Sequence, residues 1–157
     1  MRDAVRPTLL VNVVGGALVL GSYAALLPRL DAEQTRRAWT GMGDAAVGAY
    51  TASMVAATVA YLALLRRHWR RDALALPYAL FLAGAAAWLP LVYLSLTTAR
   101  GRETAFRWAA LAALTLTSAG AVLLVRAVPE RPGLAAYALL FQIVVLDNLV
   151  WGWRFGT

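Results

Sequence analysis

Five apolar runs, each separated from the next by an arginine-bearing break, run through the 157-residue chain. A helix rising about 1.5 Å per residue needs about 20 residues to cross the ~30 Å hydrocarbon core of a bilayer. Lipid offers no water to stray backbone N–H and C=O groups, so a crossing segment must satisfy them within its own helix. The runs at 8–27, 45–65, 74–97, 106–126 and 134–153 therefore predict an all-α polytopic membrane protein, a bundle of five transmembrane helices. A composition of 61% hydrophobic and 15% charged residues fits that class better than a soluble domain. No connection is long enough to separate a second domain from the first, so residues 1–157 read as one integral-membrane helical domain. The opening "MRDAVRPTLL" looks like a signal-peptide start. The following "LGSYAALLPRL" offers a poor cleavage site, so the first span is expected to be retained.

The charges narrow the chemistry. All 15 basic residues are Arg and none is Lys, which excludes a Schiff-base lysine. There is no Cys, so disulfides and thiolate metal sites are excluded too. The single histidine, His68, cannot form a metal cage alone, and neither a metal nor a cofactor is expected. A net charge of +7 could suggest nucleic acid, but in a chain this apolar the arginines more naturally anchor loops to anionic lipid headgroups. Membrane lipids are thus the expected partners, with no nucleic acid. Arginine-only basicity with abundant Ala, Leu and Val suits a GC-rich bacterial genome, hence an expected bacterial cytoplasmic (inner) membrane location. Orientation is weakly specified. Eight arginines fall on the N-terminal side (Arg2, Arg6, Arg66, Arg67, Arg70, Arg71, Arg126, Arg131) and seven on the other. The cluster "RRHWRR" tips the reading towards a cytoplasmic N-terminus, with dual topology left open.

The longest connection, 28–44, carries a signal of its own. Asp31 followed three residues later by Gln34 is a capping-box pattern, and Arg36 and Arg37 suit the end of a helix. "LDAEQTRRAW" is therefore expected to form a short interfacial helix, ended by Gly41 and Gly43, with Trp39 at headgroup level. It is either a plain connector or a lid over a cavity. Asp44 is expected to be the N-cap of the second span. Helical spacing places Tyr50, Ser53, Ala57 and Tyr61 on one stripe of that span. It likewise groups Asn12, Gly16 and Tyr23 in the first span, and Phe81, Gly84 and Trp88 in the third. Pro90 removes a backbone donor and is expected to bend the third span. Small residues in "GGALVLG" and "AGAAAW" permit close helix approach, within one chain or in a homodimer. These stripes serve either as packing surfaces or as the wall of an aromatic-lined cavity. Such a cavity is expected between the first two spans and the 28–44 loop, with Tyr50, Tyr61 and Trp88 near it.

The last run, "LLFQIVVLDNLVWGWRF", holds Asp147 beside Asn148. Seven residues from the terminal Arg154, Asp147 lies about 10 Å along the helix from that anchor, below the interface. A carboxylate there costs at least ~2.5 kcal/mol on insertion scales unless it is paired, protonated or wetted. Its expected place is the bundle interior, bonded to Asn12, Tyr50 or Ser53. At an α-helical period Leu140, Ile143, Asp147, Trp151 and Arg154 share a face, with Tyr137, Phe141, Asn148 and Gly152 on the next.

"AWLPLVYL" at 87–94, "LDNLVW" at 146–151, five spans and six Trp together resemble the tryptophan-rich sensory protein/translocator protein family. The chain departs from that family in lacking a proline-rich entry to the second span. The resemblance implies a pocket for a small hydrophobic ligand, porphyrin- or sterol-like, under the first loop, with Trp39, Trp88 and Asp147 as contacts. Taken with the stripes, the candidate ligand-binding residues are Trp39, Tyr50, Tyr61, Trp88, Asp147, Asn148 and Trp151. Two other classes stay open: a small transporter or accessory subunit, and an intramembrane isoprenoid cyclase or isomerase. In the enzyme, Asp147 would be the catalytic general acid and aromatic faces would stabilise cations.

Overall fold

The computed structural model describes residues 6–98, 101–128 and 133–156, and among these there are helices and no strands. Helix α1 spans Pro7–Leu26 and α2 Ala32–Ala38; α3 covers Asp44–His68, α4 Ala75–Thr97 and α5 Glu103–Ala127. The last span starts as α6 (Leu134–Leu140), widens into a π-helical segment at Phe141–Trp151 and closes with α7 (Gly152–Gly156). Five helical segments are long and apolar enough to cross a membrane, so the expected multi-pass bundle is what the chain forms.

Local chemistry explains where the helices begin and end. Pro7 opens α1, where its missing N–H would have had no partner anyway. The predicted capping box forms at α2. The Gln34 N–H donates to Asp31 Oδ1 at 2.8 Å, and the Asp31 N–H donates to Gln34 Oε1 at 3.0 Å. Arg36 grips Glu33 through two bonds on the exposed side of this helix. The hydrogen bond to Arg36 holds the Glu33 carboxyl below its ordinary range and raises the guanidinium correspondingly. Asp44 corrects the reading above: Gly43 is the N-cap of α3 and Asp44 is its first residue. Gly43 takes that place in an extended conformation, and its carbonyl accepts from Ala46 and Val47. The Asp44 charge still complements the positive end of the helix. At Pro90, α4 continues without interruption to Thr97.

The spans pack in a ring. Helix α1 lies against α4, α4 against α5, α5 against the last span, and the last span against α3. Closest approach is at the α4–α5 seam. A Cβ on Gly84 would collide with Thr117 and the Ala113 carbonyl, and one on Gly120 with the backbone of Phe81. Without hydrophobic drive between helices in lipid, such contact supplies the dispersion energy that holds them together. Gly15 does the same for α1, where a Cβ would come 2.8 Å from Leu82, whereas Gly16 and Gly21 face open space. Helices α1 and α3 meet less closely and are joined by side chains. The Tyr61 hydroxyl donates to Asn12 Oδ1, and the Asn12 amide donates to the Thr8 carbonyl at 2.7 Å. Apolar side chains face outward along α1, with Leu20 72% and Val13 61% exposed, as a lipid-facing surface requires.

Hydrogen bonds tie down both ends. Arg6 and Thr8 donate to the carbonyls of Arg70 and Arg71, at 3.0 and 2.8 Å. At the other end Trp151 and Arg154 reach residues 38–40. The first and last described residues therefore sit at opposite ends of the bundle, as an odd number of spans demands.

Candidate ligand site beneath the interfacial helix

Asp147 stands in the interior and is bonded from two helices. The Tyr50 hydroxyl of α3 donates to its Oδ1, and so does the Gln142 amide at 2.7 Å. The second bond depends on the π-helical winding. An α-helix aligns residues three and four apart, whereas the wider turn aligns residues five apart. Gln142, Asp147 and Gly152 thereby fall in line, and the Gly152 N–H donates to the Asp147 carbonyl. A reading at an α-helical period assigns Gln142 no place beside Asp147. A polar residue in an apolar run was the signal that could have revealed it, and Gln142 is only 1% exposed. Asn148, next in sequence, turns to a different helix: its amide donates to Ser118 Oγ on α5 at 3.1 Å. Ser118 in turn donates to the Ile143 carbonyl.

An aromatic cluster adjoins the carboxylate through Tyr50. Trp39, just past α2, meets Tyr50 edge-on at 5.5 Å between centroids. Trp88 of α4 meets Trp151 edge-on at 5.2 Å, and Trp151 stacks on Phe155 at 4.3 Å. Tyr23 of α1 lies 6.1 Å from Trp88 and within electrostatic reach of Asp147, a neighbour the sequence did not single out for this site. Trp151 is almost wholly buried, and its indole N–H donates to the Ala38 carbonyl at 2.9 Å, which seats the interfacial helix on the last span. Arg154, expected on the same face as Asp147, instead donates to Thr40. Two buried polar atoms here, Trp88 Nε1 and Gln142 Oε1, have no hydrogen-bond partner among the described residues.

Of the seven candidate residues, Trp39, Tyr50, Trp88, Asp147 and Trp151 come together around this site. Asn148 lies beside it, bonded to α5. Tyr61 belongs elsewhere, stacked on Phe81 at 5.3 Å and edge-on to Tyr78 at 5.8 Å, in a separate cluster towards the other end. The stripe that joins Tyr50 to Tyr61 is eleven residues long, about 16 Å along the helix, so one stripe serves two clusters. Among the described residues no group of acidic and histidine side chains could hold a metal ion.

The fold and the site define a five-span helical membrane protein with a buried carboxylate in an aromatic box under an interfacial helix. No family model, curated protein or solved structure matches the chain.

Proposed function

We propose that this protein binds a small lipophilic ligand in the aromatic box, with Asp147 as its polar anchor. The observation that carries the reading is the Asp147 carboxylate itself, held by Tyr50 and Gln142 among Trp39, Trp88 and Trp151. Apolar walls with a few convergent polar groups are the usual make-up of a small-molecule site. Among the described residues both bonds to Asp147 end on Oδ1, which leaves Oδ2 for a ligand. The unpartnered Trp88 Nε1 and Gln142 Oε1 add a donor and an acceptor, and buried polar atoms are otherwise almost always bonded. The fragments 87–94 and 146–151 that resemble the tryptophan-rich sensory protein family meet here, Trp88 against Trp151, which favours a flat porphyrin- or sterol-like ligand. The hydrogen-bonding neighbours of Asp147 are a phenol and an amide, which suit holding a ligand better than relaying protons.

Titrating a porphyrin or a sterol into the protein in mild detergent, with tryptophan quenching as readout, tests this. Asp147→Asn can keep both bonds to its remaining carbonyl oxygen, so stability should hold while affinity falls through loss of the charge. Asp147→Leu should weaken binding further and cost about 0.6–2 kcal/mol of stability, the range for intramembrane hydrogen bonds. Wild-type affinity in both variants would remove Asp147 from the site.

A further inference from the structure

A second site lies at the interfacial end of the bundle, outside the aromatic box. Four arginines from three elements (Arg36 and Arg37 of α2, Arg107 of α5 and Arg154 of α7) line one pocket of about 360 Å³ with Thr40 and Phe155. Among the described residues no acidic side chain lines it. Glu33 offsets Arg36 from outside; Arg37, Arg107 and Arg154 form no ion pair among the described residues. Among the described residues Arg154 donates to the neutral Thr40 Oγ1 and carbonyl, both at 3.3 Å, and no acidic side chain there offsets its charge. Arg107 lies 5.7 Å over the Phe155 ring, which fixes the guanidinium without neutralising it. Thr40 is the one non-glycine described residue with positive φ, at 54°, a conformation rare for a β-branched side chain. That turn aims its carbonyl and hydroxyl at Arg154. The N–H groups of Thr40, Gly41 and Met42 are all committed to α2 carbonyls or the adjoining turn. Recognition in this pocket therefore falls on the guanidinium groups.

We infer that this pocket binds the phosphate or diphosphate head of an amphiphile, with the apolar part against Phe155 and Leu96. Like charges converging on one cavity repel unless an anion joins them, and planar guanidinium forks match phosphate oxygens two at a time. A carboxylate would engage one fork; a phosphate can engage several. The head could belong to a membrane phospholipid or to a free phosphorylated molecule. The site shares Phe155 with the aromatic cluster but uses none of the residues that hold Asp147, so it stands or falls apart from the Asp147 reading.

The test is native mass spectrometry of the detergent-solubilised protein titrated with phosphatidylglycerol, with phosphatidylcholine as the zwitterionic control. Inorganic diphosphate is then added as competitor. The variant is Arg37→Gln with Arg107→Gln, which leaves the Arg154–Thr40 contacts intact. Arg66→Gln with Arg67→Gln, at the opposite end, is the control for general loss of charge. Each interfacial arginine contributes on the order of fivefold in affinity for an anionic head. The pocket variant should therefore bind phosphatidylglycerol about 25-fold more weakly, with the opposite-end control near wild type and circular dichroism unchanged in both. Displacement by diphosphate supports a site open to free phosphorylated molecules; retention of the lipid supports a headgroup site. Equal loss in the two double variants, or no preference for phosphatidylglycerol over phosphatidylcholine together with no diphosphate binding, would overturn the inference.

Discussion

At the end of the bundle that carries residues 66–74, Tyr61, Tyr78 and Phe81 pack with Leu64, Leu74, Leu124 and Leu139. At the end under α2, Trp39, Trp88 and Trp151 pack with Tyr50 and Phe155 around Asp147. Both ends are aromatic and both are buried, yet they differ in what the polar atoms do. Near the first, Asn12 joins α1 to α3 and has its bonds from within the protein. Around the second, a carboxylate, an indole N–H and an amide oxygen crowd together, and two of these atoms lack partners. Unbonded polar atoms occur at both ends, the Tyr78 hydroxyl among them at the first, but only the second holds a buried carboxylate, and that suits binding. Aromatic content alone does not tell them apart; the buried carboxylate does.

The sharpest way to break this contrast is to hollow out each end in turn. Tyr78 is fully buried, so Tyr78→Ala should destabilise by about 3–5 kcal/mol, as large-to-small aromatic changes do in packed cores. Its hydroxyl has no hydrogen-bond partner among the described residues, so Tyr78→Phe should be neutral or mildly stabilising. Ligand affinity should survive in the folded fraction of either variant. Thermal melts in detergent beside ligand titration would show it, and a Tyr78→Phe that loses the ligand without losing stability would erase the distinction between the ends.

A gentler change sharpens it at the other end. Trp151→Phe keeps a ring against Trp88 but removes the bond to the Ala38 carbonyl, with an expected cost of about 1 kcal/mol. The effect should appear as faster hydrogen exchange at residues 32–40, with exchange at 61–82 unchanged. Uniform acceleration would mean that the ends are not independent.

The smallest effect is electrostatic and confined to α2. Because Arg36 lowers the Glu33 carboxyl below its ordinary range, the contribution of the pair is present above the unfolded glutamate value and is lost as pH falls through the folded one. Acidification below the ordinary glutamate range should fray α2 before the spans respond. Glu33→Gln should remove that pH dependence, and exchange rates in residues 32–38 would report both.

How much of this was legible in the sequence follows from which rules were local. Span number needed only the length of apolar runs, and the α2 cap needed only Asp31 and Gln34 at the right separation. That Asp147 would find a partner on the first two spans followed from the cost of an unpaired carboxylate in lipid; the choice of Tyr50 over Asn12, which bonds Thr8 and Tyr61 instead, did not. Gln142 did not, because its approach depends on a winding that apolar residues alone do not specify. The split between Tyr50 and Tyr61 was hidden for a related reason: a stripe gives direction around a helix and says nothing of depth. The arginine pocket was invisible because its four members come from three separate stretches of the chain, and the topology count treated them as anchors of separate loops.

The seat of the interfacial helix has a consequence for how freely this protein can change. Trp151 and Arg154 both fasten residues 38–40 by donating to main-chain carbonyls, those of Ala38 and Thr40. A carbonyl is present whatever side chain the residue carries. The loop can therefore be rewritten at position 38 with its fastening intact, while the indole and guanidinium that grasp it from the last span have no substitute. Mutational tolerance across this contact is one-sided: permissive in the loop, strict in the helix that holds it.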